Sequence, residues 1–202
     1  MAISGLAWAG NGNVRYGATS FSCSIDCTGA NRLWMIWYGA DLTGKVTTCA
    51  FNSVSLSDLS FNGGHNVWIL DNPSQGSYTA QLSMSGLGYR GTMAVLATSG
   101  DRPNNIGYTY QSGLIHTWSV SKPAIMFGSY YAFGEGVTFN TSQTGLQIMY
   151  SYYTSWTSGG TWRAYGGHGF NIASGGTCGF DPVASWAAEG FEADAGGLFY
   201  FF

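Results

Sequence analysis

The chain has 202 residues, a formal net charge of −3 and only 8% charged residues, against 16% aromatics and 31 glycines. An average soluble domain carries about 25% charged residues. The few basic side chains here (Arg15, Arg32, Lys45, Arg90, Arg102, Lys122, Arg163) are scattered, with no stripe to neutralise a phosphate backbone, which argues against nucleic acid as a partner.

Interspersed charge of both signs keeps a small domain dispersed. A surface built from Ser, Thr, Asn and Gly instead points to one covered by copies of itself or by partner proteins. The start, Met1-Ala-Ile-Ser-Gly-Leu6, has no cationic segment followed by an apolar one, and no apolar run approaches the ~20 residues of a membrane helix. The expectation is synthesis in a cytoplasm, without a signal peptide and without membrane insertion.

Strand-like runs recur along the chain between clusters of Gly, Asn, Asp and Ser. They fall near 19–25, 33–38, 46–51, 53–59, 66–70, 77–85, 92–98, 113–120, 124–131, 137–140, 146–153, 161–165, 168–172 and 198–202. Cys23 and Cys27, in the first of these and just beyond it, could clip a small loop or hold a metal. With no second Cys pair and no nearby His, zinc is the weaker reading. Leu33-Trp-Met-Ile-Trp-Tyr38 and Ile125–Phe133 are apolar at both parities, as in strands buried on two faces. Cys49 shares a face with Phe51 and reads as a buried thiol. Asp71-Asn-Pro-Ser-Gln-Gly76 is turn chemistry.

The clearest alternation follows. Tyr78, Ala80, Leu82 and Met84 fall on one face and Ser77, Thr79, Gln81 and Ser83 on the other, the period of a half-buried antiparallel strand. Later, Ser158-Gly-Gly160, Gly166-Gly-His-Gly169 and Ser174-Gly-Gly-Thr177 read as loops. Helical spacing is nearly absent, with 183–190 the one tolerable stretch. The prediction is an all-β chain, an antiparallel two-sheet β-sandwich, jelly-roll-like, with 1–202 as a single domain.

Asn31–Trp37, Val46–Leu56, Val67–Tyr78 and Met93–Gly100 together have the style of one module. Over residues 31–100 the chain resembles β-sandwich modules of phage virion proteins and bacterial surface proteins. That resemblance implies a fold and a setting, and it implies no active site.

Few constellations could carry chemistry. Glycoside hydrolysis needs two carboxylates facing each other across a sugar, and the nearest candidates, Glu135 and Asp181, read better as loop residues. His65, His116 and His168 are far apart, and His116 shares a face with Leu114, Trp118 and Val120, as a core histidine would. No Ser-His-Asp spacing, phosphate loop or dinucleotide fingerprint is present. The expectation is no enzyme, no catalytic residue, no metal and no cofactor. Trp156, Trp162 and Tyr165, beside the Gly-rich segments, are the candidates for stacking on a glycan. The tail Leu198-Phe-Tyr-Phe-Phe202 would aggregate if exposed, so Leu198, Phe199, Tyr200, Phe201 and Phe202 are the candidates for docking, in their own sheet or on a neighbour.

Two functions follow from these readings. The first is a non-enzymatic structural protein of a bacteriophage virion surface, a capsid decoration (cement) protein or a spike or fibre component, working through contacts with its own copies and other virion proteins. The alternative is a carbohydrate-binding adhesin module recognising host-surface glycans.

Overall fold

The computed structural model describes residues 4–13, 18–42, 46–59, 65–102, 105–112, 116–120, 124–134, 147–157, 161–173, 176–180 and 192–201. Every regular element among them is a β-strand and every pairing is antiparallel. The contacts divide the chain into two compact units, Met1–Asp101 and Arg102–Phe202. The candidate stretches 137–140 and 183–190 lie outside the described residues.

The first unit contains β1 (Ser4–Asn13), β2 (Ala18–Asp26), β3 (Arg32–Leu42), β4 (Val46–Phe51), β5 (Val54–Ser55), β6 (Ser57–Asp58), β7 (His65–Asp71) and β8 (Ser77–Ser99). β8, 23 residues long, is the spine. β2 and β4 flank its first half, and β1 and β3 flank its second. β5 extends the first half beyond β4, while β7 and β6 extend the second beyond β3.

The two strands expected at 77–85 and 92–98 are therefore one. The intervening Ser85-Gly-Leu-Gly-Tyr-Arg-Gly-Thr92 has the glycines of a loop, but glycine also permits a sharp bend or a bulge inside a continuous strand. The pairing with β2 shifts register here, from Ser20 opposite Ser83 to Ala18 opposite Gly88. A change of parity accompanies it. Met84 and Met93 are an odd number of residues apart, so an unbroken pleat would send them to opposite faces, yet both lie in one core cluster.

That cluster lies between the two halves of the folded-over sheet. Phe21, Ile25, Cys49, Phe51, Ala80 and Leu82 come from one half, and Leu33, Met35, Trp37, Trp68, Val95 and Ala97 from the other. The rings of Phe21 and Trp37 meet across it with centroids 4.5 Å apart. The result is sandwich-like. The opposite face of β3 and its neighbours is buried as well, through Trp34, Ile36, Val67, Ile69, Ala94 and Leu96, in line with the two-sided apolar pattern of 33–38. On that face the Trp34 indole donates to Thr98 Oγ1 at 3.0 Å, which satisfies both buried polar groups.

One end of this unit is closed by polar contacts. Asp26 Oδ1 accepts from the Thr28 backbone N–H (2.9 Å) and from its hydroxyl (2.7 Å), an Asx turn that leads into Gly29 at φ 78°. These two hydrogen bonds hold the Asp26 carboxyl below the usual carboxylate range. Gln75 ties that turn to the 71–76 loop, accepting from Gly29 N at 2.7 Å and donating to Ala30 O at 3.0 Å. The Arg32 guanidinium, buried, donates to Asp71 Oδ1 at 2.8 Å and to the carbonyls of Gly100 (3.2 Å) and Asp101 (2.8 Å).

The second unit contains β9 (Asn105–Ser112), β10 (His116–Val120), β11 (Ala124–Gly134), β12 (Gln147–Thr157), β13 (Thr161–Ala173), β14 (Gly176–Phe180) and β15 (Glu192–Phe201). Five strands form a sheet in the order β12-β13-β11-β15-β9, and β10 pairs with β14. Gly166-Gly-His-Gly169, expected as a loop, lies inside β13, where Gly166 stands opposite Tyr131 on one side and Tyr152 on the other. Four residues with three glycines look like a turn because they have little to pack. Each still carries the backbone N–H and C=O that a ladder requires.

Candidate functional site

β4 and β5 are joined by a two-residue turn, with Phe51 opposite Val54 and Asn52 and Ser53 between them. Both turn residues have left-handed backbones, φ 46° at Asn52 and 64° at Ser53. That is the twist-matched hairpin turn, which favours Asn first and Gly second. The stretch 53–59 was expected as one strand. It is instead this turn followed by two short strands, with Leu56 between them tied back by its N–H to Cys49 O at 2.9 Å.

Beside the turn runs the first half of β8. Ser77, Thr79 and Gln81 are exposed and Ala80, Leu82 and Met84 buried, as the alternation predicted. Tyr78 differs: it shares the inward parity but is 38% exposed. It sits at the start of the strand, where its ring meets Phe51 edge-on, with centroids 5.8 Å apart and planes at 87°. Asn52, Ser53, Ser77, Tyr78, Thr79, Gln81 and Ala50 line an open cleft of about 380 Å³. No side chain in that lining carries a charge.

Three of the four cysteines have described side chains, and burial holds all three thiols protonated. Cys23, Cys27 and Cys49 are free thiols. Burial pushes Cys23 up to about 12 and Cys27 up to about 11, the latter helped by the Asp26 charge. Cys49, packed on Met35, is raised too, by burial and then by Asp58. A Cys23–Cys27 clip is thus not formed. Among the described residues no group of three or more His, Cys, Asp or Glu could hold a metal ion. The folded thiols hold their protons well above the ordinary 9.0, so the unfolded chain loses protons first as pH rises. Stability should be full below about pH 9 and fall from there toward pH 11–12. Urea midpoints measured across that window should show the decline, and Cys23→Ala should lessen it while leaving the part due to Cys27 and Cys49.

The other residues singled out in the sequence are brought together only in part. Trp156 and Trp162 occupy opposing positions in the β12–β13 ladder, whereas Tyr165 stands opposite Tyr153 and Ala132 and is paired with neither tryptophan. His65 begins β7, His116 lies on β10 opposite Phe180, and His168 lies on β13 opposite Tyr150. Leu198, Phe199, Tyr200 and Phe201 belong to β15, with β11 on one side and β9 on the other. Phe202, Glu135 and Asp181 lie outside the described residues.

No family model, curated protein or solved structure matches the chain.

One further surface stands out. β1 pairs with β8 alone, so its other edge has no strand beside it among the described residues. Its sequence, Ser-Gly-Leu-Ala-Trp-Ala-Gly-Asn-Gly-Asn, contains no charge and no proline. Leu6 and Trp8 are 46% and 51% exposed. Edge strands are ordinarily protected by lysine, proline or a bulge. Here only a register shift between Gly5 and Ala7 does so, and Ala7–Asn13 runs unbroken beyond it. Sequence reasoning missed this strand because glycine and asparagine dominate its second half.

Proposed function

We propose that this chain is a non-enzymatic structural protein of a bacteriophage virion surface, a jelly-roll-like decoration (cement) module or a spike or fibre component that acts through contacts with its own copies and with other virion proteins. The observation that carries the reading is the β1 edge. A strand of this length with no second strand beside it among the described residues, no charge, and exposed Leu6 and Trp8 is suited to association. The resemblance of residues 31–100 to modules of phage virion proteins and bacterial surface proteins fits such a surface role, as does the 8% charge content.

The role needs no turnover. Acid–base catalysis requires convergent titratable groups with shifted pKa values, and the cleft beside the Asn52–Ser53 turn contains only neutral side chains. Stoichiometry in a purified particle tests the setting: a fixed, repeated copy number supports it, and absence from the particle removes it. For the contact itself, Trp8→Lys should weaken self-association at least tenfold in sedimentation velocity while leaving the melting temperature unchanged. Equal association by both proteins would take β1 out of the interface.

A further inference from the structure

We propose that the cleft between the Asn52–Ser53 turn and the start of β8 is a binding site for a neutral saccharide, of hexose or N-acetylhexosamine type. The proposal does not depend on the virion reading, since a shell protein and a free module could both carry such a site. It also uses none of Trp156, Trp162 or Tyr165.

The lining selects the ligand class. Ser53, Ser77 and Thr79 present hydroxyls that both donate and accept, and Asn52 and Gln81 add amides that do the same. A charged ligand entering here would lose water without meeting a counter-charge, and an apolar one would leave these groups unpaired. A polyhydroxyl ligand meets neither penalty. The volume, about 380 Å³, lies within the usual range of small-ligand sites and has room for one or two sugar rings. Tyr78 borders the cleft, but its ring has the inward parity and packs edge-on against Phe51, so recognition falls to the hydroxyls and amides.

The turn is held in place before any ligand arrives. Asn52 N donates to Thr79 O at 3.2 Å, and Asn52 Nδ2 to Ser74 Oγ at 3.2 Å. Ser53 is the informative residue. At φ 64° a glycine would sit without strain, whereas a serine there costs stability. Its side chain is exposed, so core packing offers no return. What serine adds at that position is a hydroxyl facing the cleft environment.

Ligand-observed saturation-transfer NMR on the full chain tests this, with glucose, galactose, N-acetylglucosamine and their short oligomers as probes and sialic acid and inorganic phosphate as charged controls. The expected result is transfer to at least one neutral sugar and none to the anions. Gln81→Ala, an exposed change, should weaken binding at least tenfold. Ser53→Gly should raise or preserve the melting temperature and yet weaken binding severalfold, a combination that a purely structural turn would not produce. No transfer to any neutral sugar, preference for an anion, or transfer that survives both substitutions would overturn the proposal. Self-association measured on the same samples reports separately on β1.

Discussion

Deleting residues 198–202 is expected to unfold the Arg102–Phe202 unit or to lower its melting temperature by well over 10 °C. In β15 the residues Leu198, Phe199, Tyr200 and Phe201 stand opposite Phe127, Met126, Ile125 and Ala124 on one side and Tyr108, Gly107, Ile106 and Asn105 on the other. Truncation thus removes strand from the interior of a sheet and opens two ladders together. Each backbone hydrogen bond is worth about 1 kcal/mol net, so the ladders alone account for several kcal/mol of a domain's ~5–15. Calorimetry of full-length and truncated chains checks this. Indistinguishable melting curves would show that the end of β15 contributes nothing to the unit.

Replacing Arg32 should have the next largest effect. Its guanidinium is buried and ties β3 to two other segments: β7 through Asp71, and the chain after β8 through the carbonyls of Gly100 and Asp101. Arg32→Ala leaves two carbonyls and a carboxylate without this donor, and breaking such a pair costs about 3 kcal/mol. For a unit of this size that is roughly a 10–20 °C fall in melting temperature. Arg32→Lys should recover only part of it, because an ammonium cannot reproduce the fork that reaches three oxygens. Full rescue by lysine would show that charge alone matters here.

Much of the strand content was legible because burial imposes period-2 patterning, and no tertiary information is needed to read it. The 79–84 alternation, the two-sided apolar run over 33–37 and the buried thiol at Cys49 appear in the structure as the sequence predicted, with Tyr78 the exception. Glycine-rich segments were the weak point. Glycine is compatible with a turn, a bulge or an unbroken strand, and only the partner strands distinguish these. Gly86, Gly88 and Gly91 therefore read as a break in what is one strand, β8, and 166–169 as a loop in what is β13. Nothing in the composition around Gly100-Asp-Arg102 signalled the division into two units.

The candidate cleft shows the same boundary. Sequence alone determined that Ser77, Thr79 and Gln81 form an uncharged outward face, since alternation places them there whatever the fold. That Asn52 and Ser53 join them was decided by tertiary structure. β4 pairs with β8 in a register that puts Phe51 opposite Ala80, which brings the turn against the start of β8 from 27 positions away, between Asn52 and Thr79. Pairing between distant strands is set by how well their faces fill a shared core, and no local pattern in either strand encodes it.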